Sequence, residues 1–183
     1  MHRSRRSDVI KKGRTRAPHR AFMHAMGLTD EDIAKPFVAV MGPYGELTPC
    51  NLHIGALMKT VKAGIAEAGG LGRESGMAMV ADSLSMNHQG MKFSLITREL
   101  MADSIEAVVR GHSFDALVGI AGCDKSLPGV LMGMARCNVP SVFLTASFTA
   151  SVVFASSIPS CANSCRIPWI IISGYGIKSP CKI

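Results

Sequence analysis

The chain has 183 residues, 48% hydrophobic and 18% charged, which is enough for one globular core. Mean hydropathy is +0.25, rather apolar for a free-standing soluble domain and compatible with a buried interface or a membrane contact. Its nine prolines and 18 glycines are dispersed, which excludes collagen-like and low-complexity classes.

The formal charge of +7 lies at one end. Arg3, Arg5, Arg6, Lys11, Lys12, Arg14, Arg16 and Arg20 face the single acid Asp8, and the rest of the chain balances to about zero. Residues 1–20 therefore read as an exposed basic arm. Such an arm can pair with acidic groups elsewhere, an anionic substrate, nucleic acid or an anionic membrane. No nucleic-acid motif or aromatic stacking run accompanies the charge, so nucleic acid is not expected as a partner. The arginines also suit a transit peptide, but the apolar helical face is weak, and no secretory apolar region follows Met1. The six cysteines lack a signal peptide and a regular framework. A reduced, cytoplasmic setting is expected, organellar in a eukaryote, where cysteines are metal ligands or buried apolar residues.

Ala21 to Met26 reads as a short helix ended by Gly27, and Thr29-Asp30-Glu31-Asp32 as the cap and acidic first turn of the next. Pro36 to Met41 is a buried strand running into Gly42-Pro43. Asn51 to Ala68 has helical periodicity stopped by Gly69-Gly70, and Met77 to Val80 reads as a second strand. A loop from Asp82 to Gly90 precedes the clearest helix, Ser94 to Gly111. Ala116 to Ile120 is a third strand, a helix follows Pro128, and Val139 to Leu144 is a fourth strand. This alternation predicts an α/β fold, a parallel sheet covered by helices, with chemistry in loops beyond the carboxyl ends of the strands. Segments 42–50, 82–90 and 121–126 hold that position.

The tail differs. No acid follows Asp124, and no charged residue lies between Cys137 and Cys165. That stretch is long enough to span a membrane, but Pro140, Pro159 and its many Ser and Thr residues oppose a span, and no membrane partner is expected. Three divisions are expected: a basic arm over 1–20, an α/β domain over 21–147, and a divergent, poorly structured tail over 148–183.

Each loop carries groups suited to metals: Thr48-Pro49-Cys50-Asn51-Leu52-His53, Ala81 to His88, and Gly122-Cys123-Asp124-Lys125. Thiolates suit iron or zinc and carboxylates suit magnesium or manganese, so Cys123 beside Asp124 can serve two different neighbouring centres. A partly desolvated lysine near a cation can be neutral and reactive, which singles out Lys125. The plainer alternatives are a buried apolar cysteine, a surface Asp124–Lys125 ion pair, and structural roles for His53 and His88.

Several motifs in order carry a resemblance: Lys12-Gly13, Arg16 to Ala21, Gly27 to Asp32, Thr48 to His53, Ser94 to Glu99, Gly122 to Gly129 and Asn138 to Ser141. From about Arg3 to Leu144 the chain resembles the amino-terminal third of the dihydroxy-acid dehydratases and related sugar-acid dehydratases, including 6-phosphogluconate dehydratases. The resemblance implies a [2Fe-2S] cluster held by Cys50 and Cys123, the cysteine of Thr-Pro-Cys-Asn favouring that cluster over [4Fe-4S]. It also implies Mg2+ held by Asp82, Asp124 and a carbamylated Lys125. The implied reaction removes water from a 2,3-dihydroxy acid to give a 2-keto acid, as in branched-chain amino-acid biosynthesis, in a homodimer when full length. A sugar acid as substrate, or a non-catalytic chain docking on an intact subunit, are the alternatives.

The chain departs from the family at Ser83 and Asn87, where glycines are usual, and at Gly42-Pro43, where a polar pair is usual. Beyond Leu144 the family's glycine-rich loop, third cluster cysteine and second domain with its base serine are not recognisable. Cys161 and Cys165 match no ligand motif, and no catalytic residue is assigned. The expectation is a truncated or alternatively read product that is inactive alone.

Overall fold

The computed structural model describes residues 4–146 together with the backbones of two strands at 151–156 and 170–173. The parallel part of the sheet contains β1 (Phe37–Gly42), β2 (Leu71–Gly76), β3 (Ala116–Ala121) and β4 (Ser141–Ala146) in the order β2-β1-β3-β4. β5 (Ser151–Ser156) and β6 (Ile170–Ser173) extend it antiparallel beyond β4. The α/β parallel sheet expected from sequence is present. The two antiparallel strands lie inside the segment 148–183 expected to be a divergent, poorly structured tail, and the rest of that segment lies outside the described residues.

The helices are α1 (Asp8–Lys11), α2 (Ala17–Ala25), α3 (Asp30–Ala34), α4 (Ile54–Glu67), α5 (Asp82–Ser85), α6 (Ser94–Gly111) and α7 (Ser126–Cys137). Successive strand residues face opposite sides of the sheet. Ala39, Met41, Leu117 and Phe143 join the larger core with Met101, Ile105 and Val109 of α6 and Val130 of α7. Val40 and Ile120 join Ile54 and Met58 of α4 in a smaller core on the other side. Each fully buried aliphatic or aromatic side chain here contributes about 1.5–3 kcal/mol through removal from water.

Local chemistry explains most boundaries. Thr29 and Asp32 form a reciprocal capping box at the start of α3. Asn138 closes α7 in the left-handed conformation at φ 50°, which asparagine tolerates better than most residues. α7 begins at Ser126 rather than after Pro128, because a proline in the first turn forfeits no intrahelical hydrogen bond.

The second strand is displaced from its expected place. β2 is Leu71–Gly76, not Met77–Val80, and pairs residue for residue with β1 from Phe37–Leu71 to Gly42–Gly76. β2 is an edge strand, so backbone pairing holds it without a continuous apolar run. α4 packs tightly against it at Gly72, where a Cβ would come within 3.1 Å of the Lys62 side chain. Met77 is buried just past the strand and supplies apolar contact to the larger core.

Within residues 1–20, read as exposed, the described part from 4 to 20 is partly docked. Ser7 is fully buried, and its amide and hydroxyl donate to the Asp115 carboxylate at 2.8 and 2.6 Å. The Phe37 amide donates to the same carboxylate at 2.8 Å, so one acid ties the N-terminal segment to the amino end of β1. Among the described residues, no helix is long and apolar enough to cross a membrane.

Candidate metal centre

Because β1, β2 and β3 run parallel, their carboxyl ends open on one side of the sheet. The three chemistry-bearing loops follow those ends, as expected. The loop after β1 turns through Pro49–Asn51 into α4, the one after β2 enters α5 at Asp82, and the one after β3 enters α7 through Cys123-Asp124-Lys125.

Asp82 and Lys125, 43 residues apart, form the central contact, with the Lys125 Nζ donating to Asp82 Oδ1. The Lys125 side chain is 1% exposed and the Asp82 side chain 27%. The Ser94 hydroxyl, at the first residue of α6, donates to the same carboxylate oxygen. Burial raises the Asp82 pKa, but hydrogen bonds from Lys125 and Ser94, the Lys125 charge and a contact with Asp124 outweigh it and hold the carboxyl below its ordinary value. Asp124 Oδ1 accepts from the Lys125 amide at 2.9 Å. Asp82, Asp124 and Lys125 are therefore brought together.

The Cys123 thiol lies 3.4 Å from Asp124 Oδ1. Burial pushes it up to about 11, with Asp124 and Cys50 adding to the rise and Lys125 opposing it. Ser126 fixes this turn by accepting from the Cys123 amide at 2.9 Å and donating to the Cys123 carbonyl at 2.8 Å. Cys50 enters through its backbone. At Gly122 a Cβ would stand 2.9 Å from the Cys50 carbonyl oxygen and 2.7 Å from that of Ala146, so only glycine lets the first and third loops and the end of β4 meet. Cys50, Cys123 and Cys137 are all free thiols.

Asn51 is buried beside Cys50. Its Nδ2 lies 3.5 Å from the Met79 sulfur, and its Oδ1 is an orphaned acceptor among the described residues. His53 pairs with the Ala146 carbonyl at 3.2 Å and His88 with that of Leu84 at 2.9 Å, which fits structural roles for both rings. The departures from the family's glycines are accommodated. Asn87 adopts φ 63°, and Ser83 sits within α5, where no positive φ is needed.

The donor set fits two kinds of metal in type. Two thiols suit iron, and two carboxylates beside a buried lysine suit a hard cation. It is also partial, since among the described residues no three His, Cys, Asp or Glu side chains converge on one point. Cys161 and Cys165 lie outside the described residues. Ser94 and Ser126 carried no expected role, because a serine opening a helix reads first as a cap. Their positions beside Asp82 and Cys123 in space, rather than in sequence, identify them.

Comparison with known proteins identifies the family. The family described as "Dihydroxy-acid/6-phosphogluconate dehydratase N-terminal" matches residues 35–167, beyond Leu144 where the motif resemblance ends. Dihydroxy-acid dehydratase 3 of Bradyrhizobium diazoefficiens is 59% identical over 139 residues, covering 76% of this chain and 24% of that protein. Dihydroxy-acid dehydratase of Pelagibacter ubique is 54% identical over 72% of this chain and 23% of its own length. That of Pyrococcus abyssi is 50% identical over 76% and 25%. The chain thus spans about a quarter of the length of the curated relatives it matches. By these matches and by the fold, the chain belongs to the dihydroxy-acid/6-phosphogluconate dehydratase family, matching its N-terminal part.

Proposed function

We propose that this chain carries the N-terminal half of a hydro-lyase site that removes water from a 2,3-dihydroxy acid to give a 2-keto acid, and that alone it turns over little or none. The observation that carries this reading is the Asp82–Lys125 ion pair across two strand-end loops, with Asp124 on the Lys125 amide and Cys123 beside Asp124. The names of relatives at 47–59% identity favour a dihydroxy acid over a sugar acid. Their length, about three times that of this chain, and the partial donor set support the need for further protein.

Cys50 and Cys123 would hold a [2Fe-2S] cluster, and Asp82, Asp124 and Lys125 would hold Mg2+. When bound, these groups supply Lewis acidity toward the leaving hydroxyl and stabilise negative charge that develops on the substrate. Ser94 fixes the rotamer of Asp82, Ser126 fixes the Cys123 turn, and the buried Asn51 oxygen offers an acceptor to a bound donor. The Lys125 ammonium now supplies the charge balancing Asp82. Carbamylation forms an N–C bond between the deprotonated amine and carbon dioxide and releases protons to solvent, so the side chain goes from +1 to −1. Asp82, Asp124 and a carbamylated Lys125 would then need a divalent cation to balance their charge, so carbamylation and Mg2+ binding would be coupled at this residue.

A second reading, docking on an intact subunit, is favoured by an apolar band beside the site. Leu84, Phe93 and Leu95 are 65%, 58% and 61% exposed, and Met86, Met91 and Ile96 are exposed with them. Size-exclusion chromatography with and without a full-length dehydratase tests it. The test of the main proposal is anaerobic reconstitution with iron and sulfide, followed by iron analysis and assay of 2,3-dihydroxyisovalerate and an aldonate. Iron retention lost in Cys50→Ser and Cys123→Ser, with negligible turnover, is expected. Substantial turnover by the chain alone refutes its inactivity.

A further inference from the structure

A cavity of about 370 Å3 lies between the N-terminal segment and α3, lined by Arg5, Asp8, Lys11, Lys12, Arg20 and Asp30. Its charges do not balance locally. Lys12 takes Asp8 at 2.9 Å, and Asp30 is 90% exposed and turned to His24 at 3.3 Å. Arg5 donates to the Ala34 carbonyl at 2.7 Å, and Arg20 to the carbonyls of Lys11 and Gly13 at 2.7 and 2.9 Å. Among the described residues no carboxylate meets either guanidinium. Lys11 is only 6% exposed, and among the described residues its ammonium contacts neutral partners, the Lys35 carbonyl at 2.5 Å and the face of Phe37 at 3.6 Å.

We propose that this cavity binds a small oxyanion carrying two charges, a phosphate or dicarboxylate group. Arg5, Lys11 and Arg20 line one cavity with their charged ends on neutral partners, and a dianion among them would supply a direct counter-charge. A guanidinium anchored at one nitrogen still presents other N–H groups in the fork that matches phosphate and carboxylate oxygens. The volume lies within the range of small-ligand pockets. Burial pushes Lys11 down to about 8 against the pull of Asp115, with Arg5 and Lys12 adding to the fall and Asp8 opposing it. The occupied cavity would clamp α1 against α3, remote from the strand ends that carry the metal-type residues.

The test is calorimetric titration of the 183-residue chain at low ionic strength with inorganic phosphate, malonate, acetate and a single-stranded DNA oligonucleotide. One-to-one saturable binding of phosphate or malonate over acetate is expected, and the tighter of the two identifies the source of the dianion. Arg5→Gln/Arg20→Gln should weaken it about tenfold or more, the cost of losing charge-assisted hydrogen bonds. Arg14→Gln/Arg16→Gln carries the same charge change outside the cavity and should leave it within about twofold. If the first pair fails to fold by circular dichroism, Arg5→Lys/Arg20→Lys keeps the charge and removes the fork, and should also weaken binding. No saturable binding of either dianion overturns the proposal, as does equal loss from both glutamine pairs, unchanged affinity in the lysine pair, or oligonucleotide binding alone.

Discussion

Replacing Asp82 by Asn tests whether Lys125 depends on it. The Lys125 side chain is 1% exposed and its charged partner is Asp82, so Asp82→Asn leaves a buried ammonium facing a neutral amide. Removing one member of a buried pair costs about 3–5 kcal/mol, mostly through the uncompensated charge left behind. Asp82 is 27% exposed and Asp124 lies close by, so we take about 3 kcal/mol, or roughly 6–12 °C in Tm for a chain of this size. Lys125→Met removes the buried charge and keeps most of the volume. Asp82 then retains Ser94 and water, and the cost should be about 1 kcal/mol or less. The double variant should therefore be more stable than Asp82→Asn alone. Urea unfolding of the four proteins reads this directly. If Asp82→Asn costs no more than Lys125→Met, or the double variant is the least stable, the ion pair does not organise this site.

Three further outcomes are expected. Asp115→Ala removes the acceptor of Ser7 and Phe37 and should cost about 3 kcal/mol while exposing Arg5, Arg6 and Lys11 to trypsin, read by limited proteolysis and mass spectrometry. Gly122→Ala puts a Cβ against two backbone carbonyls and should cost about 2 kcal/mol and reduce bridging of Cys50 and Cys123 by an arsenical dithiol reagent. Lys11 should give a pH signature. Its pKa falls from 10.5 to about 8 on folding, so between those values the unfolded chain binds more protons. Relative to Lys11→Met, the wild-type chain should gain stability as pH rises through that window and lose it as pH falls through about 8. A flat difference contradicts the buried placement.

β1, β3 and β4 were legible because buried parallel strands read as continuous apolar runs bounded by turn residues. α6 was legible to its ends from its periodicity. β2 was not, because an edge strand needs backbone partners more than apolar side chains, and the adjacent Met77–Val80 run carried the stronger hydrophobic signal. Docking of the N-terminal segment was hidden for a related reason. Its charge pattern suggests solvent, whereas Ser7 and Lys11 are held by hydrogen bonds to residues distant in sequence. At the site, the parallel alternation indicated which loops would face one another. Which side chains touch depends on strand register and on the glycine at 122, so the Asp82–Lys125 pair and the supporting Ser94 emerge only in three dimensions.

The central claim is that the three loops form half of a two-metal-type site completed by further protein. Anaerobic complementation tests it most directly: this chain is mixed with the separately expressed remainder of a full-length dehydratase relative, in the presence of iron, sulfide, bicarbonate and Mg2+. Turnover of 2,3-dihydroxyisovalerate should appear only when both parts are present. Cys123→Ser, Asp124→Asn or Lys125→Met in this chain should abolish it. Turnover by either part alone, or complementation that survives those substitutions, would contradict the account.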